Sequence, residues 1–272
     1  MKLAVFGNPV THSLSPRIHK LFADQYGLQV DYQAIQATPE SFPQLAAELA
    51  ASGARGCNIT VPLKHDAWKL AGRCSESASR AQAANTLVFC GPGEWYGDST
   101  DGMGLVNDLQ SIPGCRLRDA RLCLIGAGGA AASVLGALLL AKPEMVLIVN
   151  RTTERAAKLA LSHSDLGRID VCSPGELSSA APFDLVINAT SLGHGGEAPE
   201  LPPSVLAPNG LCYDMNYGES AEPLRQHCLK IGIQYSDGLG MLVRQAALSF
   251  KLWTNHAPDT IPVIRELVAT AG

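Results

Sequence analysis

The run Asn58-Ile59-Thr60-Val61-Pro62-Leu63-Lys64 leaves an apolar strand and enters a helix with proline near its first position, so Lys64 falls in the first turn. The positive end of a helix dipole disfavours an ammonium there, and a lysine eased toward giving up its proton suits acid–base work. Taken alone, the position fits an ordinary surface lysine at least as well. A carboxylate stands at a second helix start, Asp101 in Gly97-Asp98-Ser99-Thr100-Asp101-Gly102, where a plain N-cap is the simpler reading. Asn85-Thr86 brings an amide and a hydroxyl to the start of another strand.

Gly126-Ala127-Gly128-Gly129-Ala130-Ala131 carries a different chemistry, because it follows a strand, opens a helix and matches G-x-G-x-x-[G/A]. One glycine makes the tight turn, one lets a pyrophosphate approach the backbone, and a small third residue lets helix and strand pack closely. The phosphate then lies at a helix N-terminus. At the end of the next strand an NAD site would hold an acid for the ribose 2'-hydroxyl, but this chain has Asn150-Arg151-Thr152-Thr153-Glu154-Arg155. Arg151 and Arg155 suit the 2'-phosphate of NADP, and Asn150 removes the repulsion an acid would exert. Arg155, with Glu154, also reads as a solvated helix charge.

The cysteines and histidines offer no further chemistry. Eight cysteines are spread widely with no C-x-x-C pair, and neither His12 nor His19 has a ligand cluster, so neither a metal site nor a disulfide frame is expected. Cys57 reads as a small core residue. The apolar stretch after Met1-Lys2 is too short for a signal peptide, and reduced thiols in a cytoplasmic protein are expected. In 272 residues, 21 Lys and Arg stand against 25 Asp and Glu, a net charge of −4 without basic runs. That argues for a small-molecule partner over nucleic acid or an anionic membrane.

Elements must hold these residues in place, and the hydropathy pattern supplies them. Strand-like runs at 2–6, 30–35, 56–61 and 85–89 alternate with helix-like runs at 16–26, 42–51 and 62–71, which implies a mainly parallel sheet covered on both faces. A second alternation has strand-like runs at 122–125, 145–149, 184–188, 211–214 and 231–234, the rhythm of a doubly wound nucleotide-binding domain. A helix over 102–109 connects the two, and helices over 239–253 and 261–270 end the chain. Leu122 to Ala141 runs 20 residues without a charge, but its glycines divide it into a strand, a turn and a buried helix instead of a membrane span. The fold class is therefore α/β in two domains. Residues 1–101 plus 237–272 form a domain completed by the C-terminal helices, and residues 102–236 form a Rossmann-type NADP-binding domain.

In these motifs the chain resembles the shikimate dehydrogenases. The resemblance runs through Phe6-Gly7-Asn8-Pro9, His12-Ser13-Leu14-Ser15-Pro16, Asn58 to Lys64, Ala84-Asn85-Thr86, Thr100-Asp101-Gly102, the Gly126 loop and Asn150-Arg151-Thr152. It continues through Asn188-Ala189-Thr190-Ser191, Tyr213-Asp214-Met215 and Asp237-Gly238-Leu239-Gly240-Met241-Leu242. It implies an NADP-dependent oxidoreductase of aromatic amino-acid (chorismate) biosynthesis that reduces 3-dehydroshikimate to shikimate with hydride from NADPH. Lys64 would be the general acid–base, and Asp101 its assistant. Ser13 and Ser15 would bind the substrate carboxylate, and Thr60, Asn85, Tyr217 and Gln245 the ring and its hydroxyls. Glu76, Gly126, Ala127, Gly128, Gly129, Ala130, Asn150, Arg151, Thr152, Arg155, Met215 and Gly238 would contact the cofactor. The implied assembly is a monomer or homodimer. The pattern departs from the family at His65, where an acid is common, and at Arg244, where a small residue is usual. The alternatives are a quinate/shikimate dehydrogenase and a nonenzymatic NADP-binding sensor on the same scaffold.

Overall fold

A strand buried on both faces must lie inside a sheet, and β1 (Lys2–Gly7) is buried from Leu3 onward. In the computed structural model, which describes residues 1–180 and 182–270, β1 pairs in parallel with β2 (Asp31–Gln36) and β3 (Gly56–Ile59). The crossovers are α1 (Ser15–Asp24) and α2 (Phe42–Ala51). Pro16 sits in the first turn of α1, where a missing N–H leaves no bond unmade, and Ile18, His19, Phe22 and Ala23 form its buried face. After α3 (Lys64–Leu70), β4 (Arg73–Cys74) and α4 (Glu76–Ala81) comes an antiparallel hairpin, β5 (Thr86–Gly91) and β6 (Glu94–Asp98), giving the order β2-β1-β3-β5-β6-β4. The sheet is thus mixed, since β5 runs antiparallel to β3. The short strands β4 and β6 carry too little apolar alternation to stand out in the sequence.

Helix α5 (Asp101–Ser111) leads into a second sheet that is parallel throughout. Its elements are β7 (Arg121–Ile125), α6 (Gly129–Leu140), β8 (Met145–Val149), α7 (Thr153–Leu161), β9 (Ile169–Cys172), β10 (Phe183–Asn188), β11 (Leu206–Asp214), α8 (Glu222–Ile231) and β12 (Gln234–Ser236). The order β12-β11-β10-β7-β8-β9 means that the chain fills one half outward from β7 and then returns to begin the other at β10. The carboxyl ends of β7 and β10 therefore flank a topological switch point, where ligands bind in such folds. Alternation along β7 sends Leu122 and Leu124 into one core with Val134, Leu138 and Ile187, and Cys123 and Ile125 into the other with Val149, Val186 and Cys212.

The uncharged stretch from Leu122 divides at the glycines into β7 and α6, and among the described residues no helix is long and apolar enough to cross a membrane. Two expectations need correction. The strand expected over 231–234 begins only at Gln234, because Ile231 is the last residue of α8 and Gly232, at φ 72°, ends that helix in the left-handed region. The helix expected from Pro62 begins at Lys64. Strand β9, half-buried at the sheet edge, was not anticipated.

Helices α9 (Leu239–Thr254) and α10 (Thr260–Thr270) complete the chain. By contacts it divides into Met1–Gly104 with Val243–Gly272, and Leu105–Leu242. The C-terminal segment is tied into the first unit: Trp253 donates its indole N–H to the Leu87 carbonyl at 3.0 Å, and the Tyr26 hydroxyl donates to the Ala257 carbonyl at 2.6 Å. All eight cysteines are free thiols.

Candidate active site

Lys64 and Asp101 are the first residues of α3 and α5, and the fold brings their side chains together. Lys64 Nζ donates to Asp101 Oδ2 at 2.6 Å, with side chains 21% and 8% exposed. Asp101 is therefore not the simple N-cap its position suggested. Its other oxygen, Oδ1, accepts from Asn85 Nδ2 at 2.7 Å. A carboxylate at a helix N-terminus is favoured by the dipole and an ammonium is not, so α5 steadies Asp101 while Asp101 offsets what α3 does to Lys64. The pair is half-sheltered, charge-assisted and still open to solvent on the lysine side, which suits it to pass a proton to a bound oxygen.

Behind the pair lies a buried polar network in the first unit. Asn85 Nδ2 lies 3.1 Å from Gln245 Oε1 on α9, and Asn85 Oδ1 accepts from the Thr100 N–H at 2.9 Å. Asn58, on β3, donates to the Asn85 carbonyl at 3.1 Å and to Ser249 Oγ at 3.0 Å, while its Oδ1 meets the Tyr32 hydroxyl at 2.8 Å and His19 Nε2 at 3.1 Å. Burial pushes His19 down to about 3, only partly opposed by its bond to Asn58, so its ring is neutral. It stacks on Tyr32 at 4.5 Å. Burial also raises the Tyr32 phenol and the Cys57 thiol far above their usual ranges, which makes Cys57 an inert core residue.

The other expected substrate residues fall in both units. In the first, Ser13 Oγ accepts from the Ser15 N–H at 3.2 Å, at the entry to α1, and Thr60 follows β3. Gly7 lets Thr60 approach, since a Cβ there would lie 2.3 Å from Thr60 Cγ2. Gln245 is 8% exposed on α9. Tyr217 belongs to the second unit, and burial raises its phenol. His65 turns to the Gln82 carbonyl at 2.9 Å and stacks on Trp68, while Arg244 donates to Thr260 Oγ1 at 2.7 Å. Both departures from the family pattern thus have partners within the first unit. Glu76 opens α4 with its carboxylate exposed and 3.4 Å from Arg80.

In the second unit, Gly126 turns at φ 110° beside the end of β10, where a Cβ would come within 3.1 Å of the Ala189 carbonyl oxygen. Gly128 caps α6 without a side chain. A Cβ added at Gly128 or Gly129 would meet no atom within 4 Å, so the glycines leave an open cradle in front of the first-turn N–H groups. That cradle fits a pyrophosphate. At the end of β8, Asn150 Nδ2 donates to the Thr152 carbonyl at 2.8 Å. Arg151 and Arg155 are exposed, and among the described residues neither is paired with a carboxylate, which leaves both free for a 2'-phosphate. Met215 and Gly238 lie together, the Gly238 position being so close to the Met215 carbonyl that a Cβ would fall 2.4 Å from its oxygen. Beside them Asp214 is 1% exposed and pushed up to about 6 by burial, against opposing bonds from Asn216 and Asn188. Among the described residues no cluster of His, Cys, Asp and Glu is arranged to hold a metal ion.

Sequence reasoning named Asn85, Lys64 and Asp101 but missed the roles of Asn58, Thr86, Thr100, His19 and Ser249. The signal available was the polarity of Asn58 inside a strand buried on both faces.

Known proteins resemble the chain along its whole length. A model of the shikimate dehydrogenase substrate-binding domain matches residues 5–87, one of shikimate/quinate 5-dehydrogenase matches 108–194, and one of the shikimate 5'-dehydrogenase C-terminal domain matches 238–268. A shikimate dehydrogenase (NADP(+)) of Chromohalobacter salexigens is 47% identical over 262 residues, 96% of each chain. Its counterpart in Methylococcus capsulatus is 43% identical over 98% of this chain and 96% of that one. Among solved structures, an Ael1 enzyme from Pseudomonas putida superposes with a TM-score of 0.90 at 37% identity, covering 98% of this chain and 97% of that one. Shikimate 5-dehydrogenase from Thermus thermophilus, in complex with NADP(H) and shikimate, superposes with a TM-score of 0.83 at 31% identity over the full length of both. Relatives that align over nearly the whole length at 43–47% identity, on a chain that already pairs a lysine with a carboxylate in one unit and opens a glycine cradle at a helix start in the other, settle its kinship: it belongs to the shikimate dehydrogenase family.

Proposed function

We propose that this chain interconverts 3-dehydroshikimate and shikimate with NADP as cofactor, using Lys64 as the general acid–base and Asp101 as its partner. The single observation that carries the reading is the 2.6 Å Lys64–Asp101 pair joined at 2.7 Å to Asn85, a polar triad at the surface of an otherwise buried network. In the reducing direction the Lys64 ammonium gives a proton to the C3 oxygen of the substrate, and in the oxidising direction the Lys64 amine takes it. Asp101 holds Lys64 in line and balances its charge. Ser13 and Ser15 receive the substrate carboxylate through their hydroxyls, while Thr60, Asn85, Tyr217 and Gln245 address the ring hydroxyls. Residues 1–101 with 237–272 are the substrate domain, and 102–236 the NADP domain.

NADP, when bound, supplies the hydride carrier. The Gly126–Ala130 loop gives backbone N–H groups to its pyrophosphate, Arg151 and Arg155 clamp the 2'-phosphate, and Asn150, Thr152, Met215, Gly238 and Glu76 complete the contacts. Initial rates with shikimate and with quinate, each with NADP and with NAD, test the reading. Shikimate with NADP should give the highest kcat/KM. Faster turnover of quinate, or a preference for NAD, would move the chain to a quinate/shikimate enzyme, and no turnover of either would make it a binding protein.

A further inference from the structure

We propose that Thr86 is a positioning residue of this site, its hydroxyl locking the Asn85 carboxamide so that the N–H end faces Asp101. The proposal rests on the reading of Lys64, Asp101 and Asn85 given above. Its basis is that the orientation of the Asn85 amide and the direction of the Thr86 proton follow from the groups that only donate or only accept.

The Thr100 backbone N–H donates to one end of the Asn85 amide at 2.9 Å, so that end is oxygen, and the end 2.7 Å from Asp101 Oδ1 is nitrogen. Thr86 Oγ1 lies 2.9 Å from the same Asn85 oxygen, which has no proton to give, so the single Thr86 proton lies between them. Ser249 Oγ is 2.7 Å from Thr86 Oγ1, and with the Thr86 proton already placed, Ser249 is the donor of that pair. Asn58 has its nitrogen toward the Asn85 carbonyl, which can only accept, and the same nitrogen lies 3.2 Å from Thr86 Oγ1. Neither Asn58 nor Ser249 needs the Thr86 proton, since each approaches the Thr86 oxygen as a donor group, and the proton is left to the Asn85 oxygen.

The same logic reaches back to His19. The other end of the Asn58 amide is an oxygen that accepts from Tyr32, so His19 Nε2 carries a proton and donates to it at 3.1 Å, leaving Nδ1 bare and without a partner. His19 donates to Asn58, and from Thr86 through Asn85 the donors run one way and end on Asp101. Were Asn85 to turn over, its oxygen would face Asp101 Oδ1 at 2.7 Å, two acceptors in contact, and Asp101 would be pushed from its place beside Lys64. Thr86 is 0% exposed, and its hydroxyl opposes this together with the Thr100 N–H.

The test uses Thr86→Val, which keeps the shape, Thr86→Ala, which removes any crowding in case the first fails to fold, and Thr86→Ser, which restores the hydroxyl. Losing one neutral hydrogen bond to Asn85 should lower kcat by about three- to tenfold in Thr86→Val and Thr86→Ala, with KM for shikimate and NADP within about twofold of wild type. Thr86→Ser should recover kcat to within about twofold, since the donor returns. Reduced thermal stability with unchanged kcat in both hydroxyl-free variants would make Thr86 a merely structural residue and overturn the proposal, as would failure of Thr86→Ser to recover the rate. Lys64→Ala is assayed in parallel. Full activity there would overturn the reading of the site itself, whereas loss in Lys64→Ala with none in Thr86→Val would overturn only the role of Thr86.

Discussion

Lys64 and Asp101 show how little of a side chain's work is written in its own position. Each opens a helix, and by position alone one is a surface cation and the other a cap; only their 2.6 Å contact makes them candidates for a proton-handling pair. Lys64→Ala should keep the fold and NADP affinity but lower kcat by about 10² to 10⁴, the range for a lost general acid–base group. Stopped-flow rates with saturating shikimate check this, and a loss of only a few-fold would place the proton donor elsewhere. Asp101→Asn is more than a change of charge, because Asp101 accepts on both oxygens and Asn must present an N–H to either the Lys64 ammonium or the Asn85 amide. We predict a large fall in kcat together with a stability loss of about 1–3 kcal/mol from the donor left unpaired, read by urea titration. Unchanged turnover in that variant would remove Asp101 from the chemistry. The motifs made these two residues legible, but Ser249 was not, because its partner Asn58 is 191 positions away in sequence and only the fold joins them.

At the scale of elements, the proposed function has the loops after β7 and β8 divide one ligand between them: the glycines would receive the pyrophosphate, and the residues from Asn150 to Arg155 would decide which dinucleotide is accepted. A hydrogen bond to a charged group contributes about 1.5–3 kcal/mol, so Arg151→Ala should weaken NADP by about one to two orders of magnitude and leave NAD nearly unchanged. Fluorescence titration with both reduced cofactors measures it, and equal losses for the two would assign Arg151 to the adenosine or to the loop itself. The strand–glycine–helix unit was readable because its glycines stand together between an apolar strand and an apolar helix, Gly126 turning against Ala189 and Gly128 and Gly129 leaving open space before the helix. The boundaries of α8 and β12 were not. Ile231 and Ile233 are apolar in either a strand or a helix end, and the left-handed turn at Gly232 is what separates them. Strands β4, β6 and β9 were invisible for a related reason: at sheet edges and in short hairpins, pairing with a neighbour makes a strand that its own hydropathy does not announce.

For the whole molecule, two buried groups answer acid in opposite senses. His19, with its folded value lowered from 6.5 to about 3, binds fewer protons than it does in the unfolded chain, so its contribution to the first unit is lost as pH falls below about 6.5. Asp214, raised from 3.8 to about 6, binds more protons when folded, so its penalty on the second unit is present above about 6 and relieved as pH falls toward 4. All three tryptophans, Trp68, Trp95 and Trp253, report on the first unit. Between pH 7 and 4.5 the thermal midpoint followed by tryptophan emission should therefore drop further than the one followed by far-ultraviolet circular dichroism, and Asp214→Asn should widen the gap at pH 4.5 least and shift the dichroism midpoint upward most at pH 7. Coincident midpoints at every pH would count against separate responses. The division of the chain has a consequence in time as well as in space. Residues 105–242 are contiguous in sequence, whereas the sheet of the first unit, though its strands are translated earlier, lacks Gln245, Ser249 and Trp253 until that stretch of α9 leaves the ribosome. At about 5–20 residues per second that interval lasts about 8–30 seconds, during which Asn58 and Asn85 wait without their partners on α9 and the nascent chain is exposed to chaperones and proteases.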